Sequence, residues 1–190
     1  MELYRSNDCL VLSAAKLAKE AHKGQVRDYT KRPYVEHPGR VAMQLALANQ
    51  GPVVVAAGWL HDVLEDTPVP ASVIAHRTSI PVLALVEELT NPSKKRPDLP
   101  RAERKAMDCE HLAGVSQAAK LIKLFDCLDN LRDMSGASKE FKAKYAQESS
   151  SLIWAMTIND AALKLTIEHH APGLTSELYN AINRLEKESA

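Results

Sequence analysis

The sequence predicts an all-α protein that forms a single domain. Apolar residues recur at three- and four-residue steps along most of the 190 residues, which is the period of amphipathic helices. No stretch alternates apolar and polar residues convincingly enough to predict a β-hairpin, and no internal repeat or low-complexity block is present. A chain of this length can bury a sizeable core, so we expect one domain over residues 1–190.

The composition argues against several classes of function. Basic and acidic residues each number 24, so the formal net charge is zero and nothing marks the chain for nucleic acid or an anionic membrane. The three cysteines (Cys9, Cys109 and Cys127) have no CxxC spacing, which argues against disulfides or a zinc knuckle. No apolar run has the roughly 18 residues of a membrane span, and the N-terminus lacks the order of a signal peptide. We therefore expect a soluble cytoplasmic protein.

The predicted helices follow one another along the chain. The first runs to Ala21 after possible caps at residues 6–8, and the second opens at Pro38, a residue suited to a first helical turn. The stretch "PVVVAA" is β-branched, but its apolar run continues without a turn signal, so we predict a helix over 52–65. Further helices are predicted over 70–76, 80–90, 101–113, 116–132 and 138–160, with a last one from about Thr175.

Two further expectations concern the surface and the core. The segment 90–104, "TNPSKKRPDLPRAER", holds three prolines and several basic residues, and it is predicted to be a mobile surface loop. Trp59 and Trp154 lie on apolar helical faces and are expected in the core.

Four ionisable residues lie close together in "GWLHDVLEDTPVP", residues 58–70. His61, Asp62, Glu65 and Asp66 have spacings that place helical side chains on adjoining strips of one face. An imidazole with carboxylates is a ligand set for a divalent transition metal such as manganese, iron or zinc. The alternative is a solvated helix end, with Glu65 and Asp66 as plain surface charges.

Two other residues stand where a partner is needed. His37 precedes Pro38 at the start of the second helix, where Ser, Thr, Asp or Asn is the usual cap. Asp126 lies in an otherwise apolar helical face, and aspartate is almost never fully buried unpaired. The plain alternatives are a loop histidine for His37, and an ion pair with Lys123 or Arg132 for Asp126. The joint order His, His-Asp, Asp across separate helices is much more specific than any one part.

This order resembles that of the HD-domain metal-dependent phosphohydrolases. The segments "AHKGQVR", "PYVEHPGRVA", "WLHDVLEDT", "LVEELT" and "KLIKLFDCLDNLRDM" are similar, more narrowly, to the hydrolase domain of the RelA/SpoT proteins. The similarity is greatest to its stand-alone form, the small alarmone hydrolases related to animal Mesh-type enzymes, and covers about residues 10–160. It implies an all-α bundle, completed by the C-terminal helices, that removes the 3′-pyrophosphate of (p)ppGpp, usually with manganese.

The resemblance also implies roles for individual residues. The implied ligands of one Mn²⁺ ion per chain are His37, His61, Asp62 and Asp126. The implied catalytic pair is Glu65 and Asp66, which would position or deprotonate the attacking water and help to protonate the leaving group; which of them is the base stays open. The implied contacts to the nucleotide are Arg27, Asn130 and Tyr145. Lys31 is a candidate substitute for the lysine that the family usually has after the arginine, and Lys23 is a further candidate for phosphate contact, the alternative being a plain exposed lysine.

The sequence departs from the family where the base is read. The family usually has Arg-Lys after the "H-x-x-Q-x" segment, whereas this chain has Arg27-Asp28. That difference keeps open another nucleotide substrate: (p)ppApp, a deoxynucleoside monophosphate or the 2′-phosphate of NADPH. A regulatory module that binds without turnover would not need Glu65 and Asp66, and a purely structural bundle would not need the four ligands in order. The expected partner is therefore a small nucleotide, with the oligomeric state left open.

Overall fold

The protein is all-α, as predicted, in a computed structural model that describes residues 2–189, with side chains described over 9–189. Eleven α-helices lie within this range: α1 (Glu2–Ala21), α2 (Glu36–Leu47), α3 (Pro52–Leu60), α4 (Val63–Asp66), α5 (Ala71–Arg77), α6 (Ile80–Leu89), α7 (Arg101–Ala113), α8 (Gln117–Arg132), α9 (Lys139–Thr157), α10 (Ala161–His170) and α11 (Leu174–Ser189). Over these residues no strand forms, and the extended pairing is one isolated bridge between Val26 and Pro33. None of the described helices has the length and apolar character needed to cross a membrane.

The helices form two compact units, of which the first comprises the chain up to Arg27 and from Arg32 to Thr90. Its central element is the apolar α3, which packs against α1, α2 and α6. Gly58 allows α2 and α3 to approach closely, since a Cβ built there would lie 2.5 Å from Leu45 Cδ1. Burial of both faces of α3 explains why its sequence shows no polar stripe.

The second unit comprises residues 28–31 and the chain from Asn91 onward. Within it α8 packs against α9, α10 and α11, and α9 also packs against α7. The core side chains that α8 contributes are fully or almost fully buried: Leu121, Ile122, Leu124, Leu128 and Leu131. Ser116, Ser138 and Asp160 cap α8, α9 and α10 through their side-chain oxygens. Asp126 is thus held in a rigid, buried helix.

The predicted helix over 52–65 is interrupted at the His-Asp pair. α3 ends at Leu60, His61 and Asp62 form a turn, and α4 then runs for four residues. Asp62 has φ −97° and ψ −6°, in the sparsely populated bridge region where active-site residues are often found. Periodicity predicted an unbroken helix because the break spans only two residues and the apolar pattern continues across it.

Other boundaries differ for local reasons. α1 begins at Glu2, so the predicted caps at 6–8 lie inside the helix. α10 was not predicted, because only Leu163 and Ile167 of its face are buried. Asp160 was expected at the end of the preceding helix. It instead caps α10, because its side chain accepts a hydrogen bond from the Leu163 N–H at 2.8 Å. Trp154 is 64% exposed, so its assignment to the core was wrong.

The proline-rich segment is anchored rather than free. Pro92–Lys95 forms a 3₁₀ turn in which Ser93 is buried. The Ser93 hydroxyl donates to Asp108 Oδ2 at 2.8 Å, and its N–H lies 3.3 Å from Asp108 Oδ1. The prediction of a mobile loop is therefore wrong at this turn.

Candidate active site

Three of the predicted ligands converge in the first unit. His37 is the second residue of α2, His61 and Asp62 follow α3, and both histidines are at most 2% exposed. Oδ2 of Asp62 lies 3.2 Å from His61 Nε2 and 3.5 Å from His37 Nε2. Donor atoms around one ion are about 3.0–3.4 Å apart when each metal–ligand bond is about 2.1 Å. Both distances from Asp62 Oδ2 are within 0.1 Å of this range, so this oxygen and the two imidazole nitrogens fit a shared metal ion.

The protonation of His61 also fits a ligand. Its Nδ1 lies 2.8 Å from the carbonyl oxygen of Gly58, which can only accept a hydrogen bond, so Nδ1 carries the proton. The lone pair of a neutral imidazole is then on Nε2, the nitrogen next to Asp62. A backbone carbonyl that fixes the outer nitrogen is the usual support of a metal-bound histidine.

The acidic residues are held by side chains to which the sequence analysis gave no role. The Tyr34 hydroxyl is 2.8 Å from Asp62 Oδ2 and 3.2 Å from Asp66 Oδ2. The Gln25 amide donates to the backbone carbonyl of Asp66 at 2.9 Å, and the His22 ring donates to Gln25 Oε1 at 2.8 Å. These residues lie in the segments "AHKGQVR" and "PYVEHPGRVA", which resemble the family, but the sequence around them does not show which residues they contact.

The candidate catalytic pair lies on α4. Glu65 and Asp66 are both half-buried, and their backbone N–H groups bond to the carbonyl of Asp62. Thr67 is extended before Pro68, as the residue before a proline prefers, and this ends α4 directly after Asp66. The backbone of both residues is therefore tied to the turn that carries a predicted ligand.

Asp126, in the second unit, is 3% exposed and has two neighbours on its own helix. Lys123 Nζ lies 2.6 Å from its Oδ2, and the Asn130 amide donates to its Oδ1. The intrahelical ion pair considered from the sequence is thus present with Lys123, while Arg132 pairs with Glu177. The lysine and the amide therefore compensate the buried charge of Asp126.

A pocket in this unit is lined by Asp126 together with side chains able to bind phosphate. Asn130 and Tyr145, both predicted nucleotide contacts, line it with Lys123 and Lys105. Sequence reasoning missed the two lysines, which look like ordinary charges of amphipathic helices.

One wall of the pocket is stiffened by an ion pair and aromatic contacts. Tyr145 stacks on Phe141, and the guanidinium of Arg101 lies over the Phe141 ring at 5.7 Å. Arg101 donates two hydrogen bonds of 2.8 Å to Glu148, which also lines the pocket. Burial acts to raise the pKa of Glu148, but the hydrogen bonds from Arg101 and the positive charges of Arg101, Lys105 and Lys144 together outweigh it, so this pKa lies below its ordinary value.

The remaining predicted nucleotide contacts are three cationic side chains that differ in burial and location. Arg27 is half-buried in the first unit, with its guanidinium carbon 5.4 Å from the centre of the Tyr34 ring. Lys23 is exposed in the turn that follows α1. Lys31 is exposed, has φ 57° and belongs to the second unit.

Known proteins are similar to this chain over most of its length. Residues 14–157 match the family model described as HD domain. The chain is 36% identical to the guanosine-3′,5′-bis(diphosphate) 3′-pyrophosphohydrolase MESH1 of Xenopus tropicalis, over 86% of this chain and 94% of that protein. It is 32% identical to the MESH1 protein of Drosophila melanogaster, over 80% of this chain and 82% of that protein.

A solved structure leads to the same conclusion. The chain resembles a metazoan ortholog of SpoT described as hydrolysing ppGpp, with a TM-score of 0.74, 28% identity and coverage of 92% of this chain and 94% of that one. It also resembles lmo0812 of Listeria monocytogenes EGD-e, with a TM-score of 0.59, 25% identity and coverage of 80% and 99%. The chain belongs to the HD domain family, and within it to the group of the guanosine-3′,5′-bis(diphosphate) 3′-pyrophosphohydrolases.

Proposed function

We propose that this protein hydrolyses the 3′-pyrophosphate of (p)ppGpp, giving GDP or GTP and pyrophosphate. The observation that carries the proposal is the convergence of His37, His61 and Asp62, with Nε2 of His61 3.2 Å from Oδ2 of Asp62. The MESH1 protein of Xenopus tropicalis, which is named as an enzyme of this reaction, matches over 94% of its length. The family model spans parts of both units, and we accordingly treat residues 1–190 as one hydrolase domain.

The cofactor we propose is one divalent metal ion per chain, specifically Mn²⁺, held by His37, His61, Asp62 and Asp126. Imidazole nitrogens mixed with carboxylate oxygens suit such an ion. Asp126 is included because it stands at the family's last ligand position and its carboxylate is buried. When bound, the ion would lower the pKa of a coordinated water and offset negative charge on the diphosphate.

Glu65 and Asp66 are the proposed proton-transfer groups. One of them takes a proton from the attacking water as the water oxygen bonds to the phosphorus next to the ribose. The bond between that phosphorus and the ribose 3′ oxygen breaks, and the 3′ oxygen leaves with a proton as a hydroxyl. The backbone of Asp66 is fixed by Gln25, which suits a group that must keep its position during the reaction.

The proposed contacts to the nucleotide are cations and polar groups. Arg27 offers a planar guanidinium that can stack on a purine, and Lys23 and Lys31 offer exposed charges for phosphate. Asn130 and Tyr145 line a pocket that also contains Lys105 and Lys123, which suits phosphate or ribose. Two lysines and three acids (Asp108, Asp126 and Glu148) line the pocket, so Lys105 and Lys123 are the groups there that would meet the phosphates of an anionic substrate.

The second candidate is hydrolysis of another nucleotide, and Asp28 is the observation that favours it. Asp28 is exposed where the family usually has a lysine, so it places a negative charge beside Arg27 in the sequence. Replacing it by Asp28→Lys restores the family pair and should improve (p)ppGpp turnover if Asp28 only weakens binding. If wild type cleaves a different nucleotide and Asp28→Lys shifts it toward (p)ppGpp, Asp28 is a specificity switch.

The test is turnover of a nucleotide panel by the metal-free protein with Mn²⁺, Zn²⁺ or Mg²⁺ added in turn. The panel contains ppGpp, pppGpp, ppApp, deoxynucleoside monophosphates and NADPH, and pyrophosphate and orthophosphate are measured separately. We expect pyrophosphate from ppGpp and pppGpp, with Mn²⁺ the most effective ion. Failure to release pyrophosphate from either compound, with an active relative as positive control, would reject the proposal and leave only a hydrolase of another nucleotide.

A further inference from the structure

Tyr34 lies at the centre of the predicted ligands in the first unit, at a position that the loop holds firmly. Its N–H donates to the Gln25 carbonyl at 2.9 Å, and its own carbonyl accepts from the His37 N–H at 2.9 Å. The isolated bridge between Val26 and Pro33 pairs the chain immediately before it. The backbone of Tyr34 is thus connected on one side to the "AHKGQVR" segment and on the other to a predicted ligand.

The Tyr34 ring is packed between side chains of the site. The His22 ring stacks on it with centroids 4.8 Å apart, and the Arg27 guanidinium carbon is 5.4 Å from its centroid. The His37 ring approaches edge-on, with centroids 5.9 Å apart and an interplanar angle of 80°. A guanidinium over an aromatic face is attracted by the ring's electron density, so the ring helps to orient Arg27.

The Tyr34 hydroxyl contacts two carboxylates with different proposed roles. It lies 2.8 Å from Oδ2 of Asp62 and 3.2 Å from Oδ2 of Asp66, and it has one proton to donate. Oδ2 of Asp62 is also the oxygen that faces both imidazole Nε2 atoms. A hydrogen bond to a ligating carboxylate orients it, and loss of such a partner typically weakens metal binding about 10–100-fold.

We propose that Tyr34 is a positioning residue that aligns Asp62 for the metal and Asp66 for proton transfer through its hydroxyl, and Arg27 for the nucleotide through its ring. The part that concerns Asp66 and Arg27 rests on the proposed function, whereas the part that concerns Asp62 requires only that the site binds a metal. The two halves of the side chain have separate tasks. Removing the hydroxyl alone should therefore act on metal and kcat, and removing the ring should also act on KM.

The experiment compares Tyr34→Phe, which keeps the ring, with Tyr34→Leu, which removes it. Tyr179→Phe is the matched control, because Tyr179 is 66% exposed on α11. Mn²⁺ affinity is measured by titrating the metal-free proteins with Mn²⁺ alone, and kcat and KM are measured with ppGpp at saturating Mn²⁺. Thermal unfolding of the metal-free proteins shows whether each variant is folded.

We expect Tyr34→Phe to bind Mn²⁺ about 10-fold more weakly and to lose about 10-fold or more in kcat, with KM within about 2-fold of wild type. Tyr34→Leu should show the same losses and a raised KM, and Tyr179→Phe should match wild type. Unchanged Mn²⁺ affinity and kcat in a folded Tyr34→Phe would overturn the proposal. If wild type binds Mn²⁺ but does not cleave ppGpp, the proposed function fails, while the Mn²⁺ titration still decides the role of the hydroxyl.

A further variant separates positioning from packing. Replacing Tyr34 by 4-aminophenylalanine keeps the ring and puts an N–H donor where the hydroxyl was. We expect it to restore much of the Mn²⁺ affinity that Tyr34→Phe loses. The proposal is wrong if this variant folds but binds Mn²⁺ no better than Tyr34→Phe, because hydrogen bonding by the side chain is then not the cause of the Mn²⁺ affinity. Should Tyr34→Phe not fold, wild type is the reference, and Mn²⁺ binding about 10-fold weaker than that of wild type leads to the same conclusion.

Discussion

The Nδ1–H of His61 donates to the Gly58 carbonyl at 2.8 Å, and this bond joins the metal chemistry of the first unit to its packing. Of the glycines in α2 and α3, Gly58 makes the closest approach to the facing helix. Leu45 fills the space that a side chain at this position would need. The imidazole is therefore oriented by a backbone position at which an added Cβ would require Leu45 to move. Metal binding and the packing of α2 on α3 are therefore linked through Gly58.

Replacing His61 by alanine should abolish metal binding and leave the fold intact. The side chain is buried, but its loss removes one ligand rather than a large part of the core. Elemental analysis of the purified proteins should find about one transition-metal ion per wild-type chain and almost none in His61→Ala. His76→Ala is the matched control, because His76 is exposed in the same unit. Equal metal content in wild type and His61→Ala would eliminate the proposed site.

Gly58→Ala should destabilise the protein by forcing α2 and α3 apart. A Cβ there would meet Leu45 Cδ1 at 2.5 Å, and overpacking of a core typically costs about 1–3 kcal/mol. Denaturant unfolding measures this loss. Gly114→Ala is the control: its Cβ would meet only the His111 carbonyl at 3.5 Å, so a gain of about 0.4–1 kcal/mol is expected there. If both variants are equally stable, the approach of α2 and α3 is not tight.

Glu65→Gln and Asp66→Asn should retain metal and nucleotide binding but lose turnover. Each variant keeps the shape of the side chain and removes its ability to accept a proton, which we expect to cost about 10²-fold in kcat. The control is Glu36→Gln, an exposed acid of α2. Single-turnover kinetics with ppGpp and metal analysis on the same samples separate chemistry from binding. Full activity in both variants would mean that the two acids are only surface charges at the end of a short helix.

Arg27→Ala should raise KM for (p)ppGpp more than it lowers kcat. The guanidinium lies over Tyr34 and is proposed to contact the nucleotide equally in the ground and transition states, so its loss removes uniform binding. Arg32→Ala, an exposed cation of the same loop, provides the comparison. Steady-state kinetics over a range of ppGpp concentrations give both constants. A fall in kcat at unchanged KM would instead place Arg27 in the chemistry.

Asp160→Asn should lower stability at neutral pH and make little difference in acid. The hydrogen bond from Lys120, 2.7 Å long, is the main cause that lowers the pKa of Asp160 below its ordinary 3.8. A carboxyl group whose pKa is lower in the folded state stabilises the fold at pH values above its pKa in the unfolded state. That stability is lost as the pH falls through the pKa of the folded state. We expect about 1–3 kcal/mol at pH 7, shrinking below about pH 4, in denaturant unfolding.

The control for this prediction is Asp98→Asn. Asp98 pairs with Arg96 at 2.7 Å, but on the surface, where an ion pair contributes little. A stability difference for Asp160→Asn that does not change with pH would show that the Lys120 pair is not its origin.

Part of the site followed from the sequence because the signals were local. The family was indicated by the order of the predicted ligands (His37, His61, Asp62 and Asp126) and by the five sequence segments similar to the RelA/SpoT hydrolase domain. The comparisons confirm the family. The helical period predicted an all-α fold and placed α7 at its observed bounds, because an amphipathic helix records which face is buried. Departures arose where the period carries no information, as at the two-residue turn after α3.

What the sequence by itself determined is therefore the fold class, most helices, the donor types and their order. Only the tertiary structure decided which nitrogen of His61 faces Asp62, which oxygen of Asp62 faces the imidazoles, and that Tyr34, Gln25 and His22 support the acids. It also showed that Trp154 is exposed and that Ser93 is anchored to Asp108. The physical reason is range: periodicity and capping depend on neighbours a few residues apart, whereas Tyr34 and Asp62 are 28 residues apart and meet only when α2 and α3 pack.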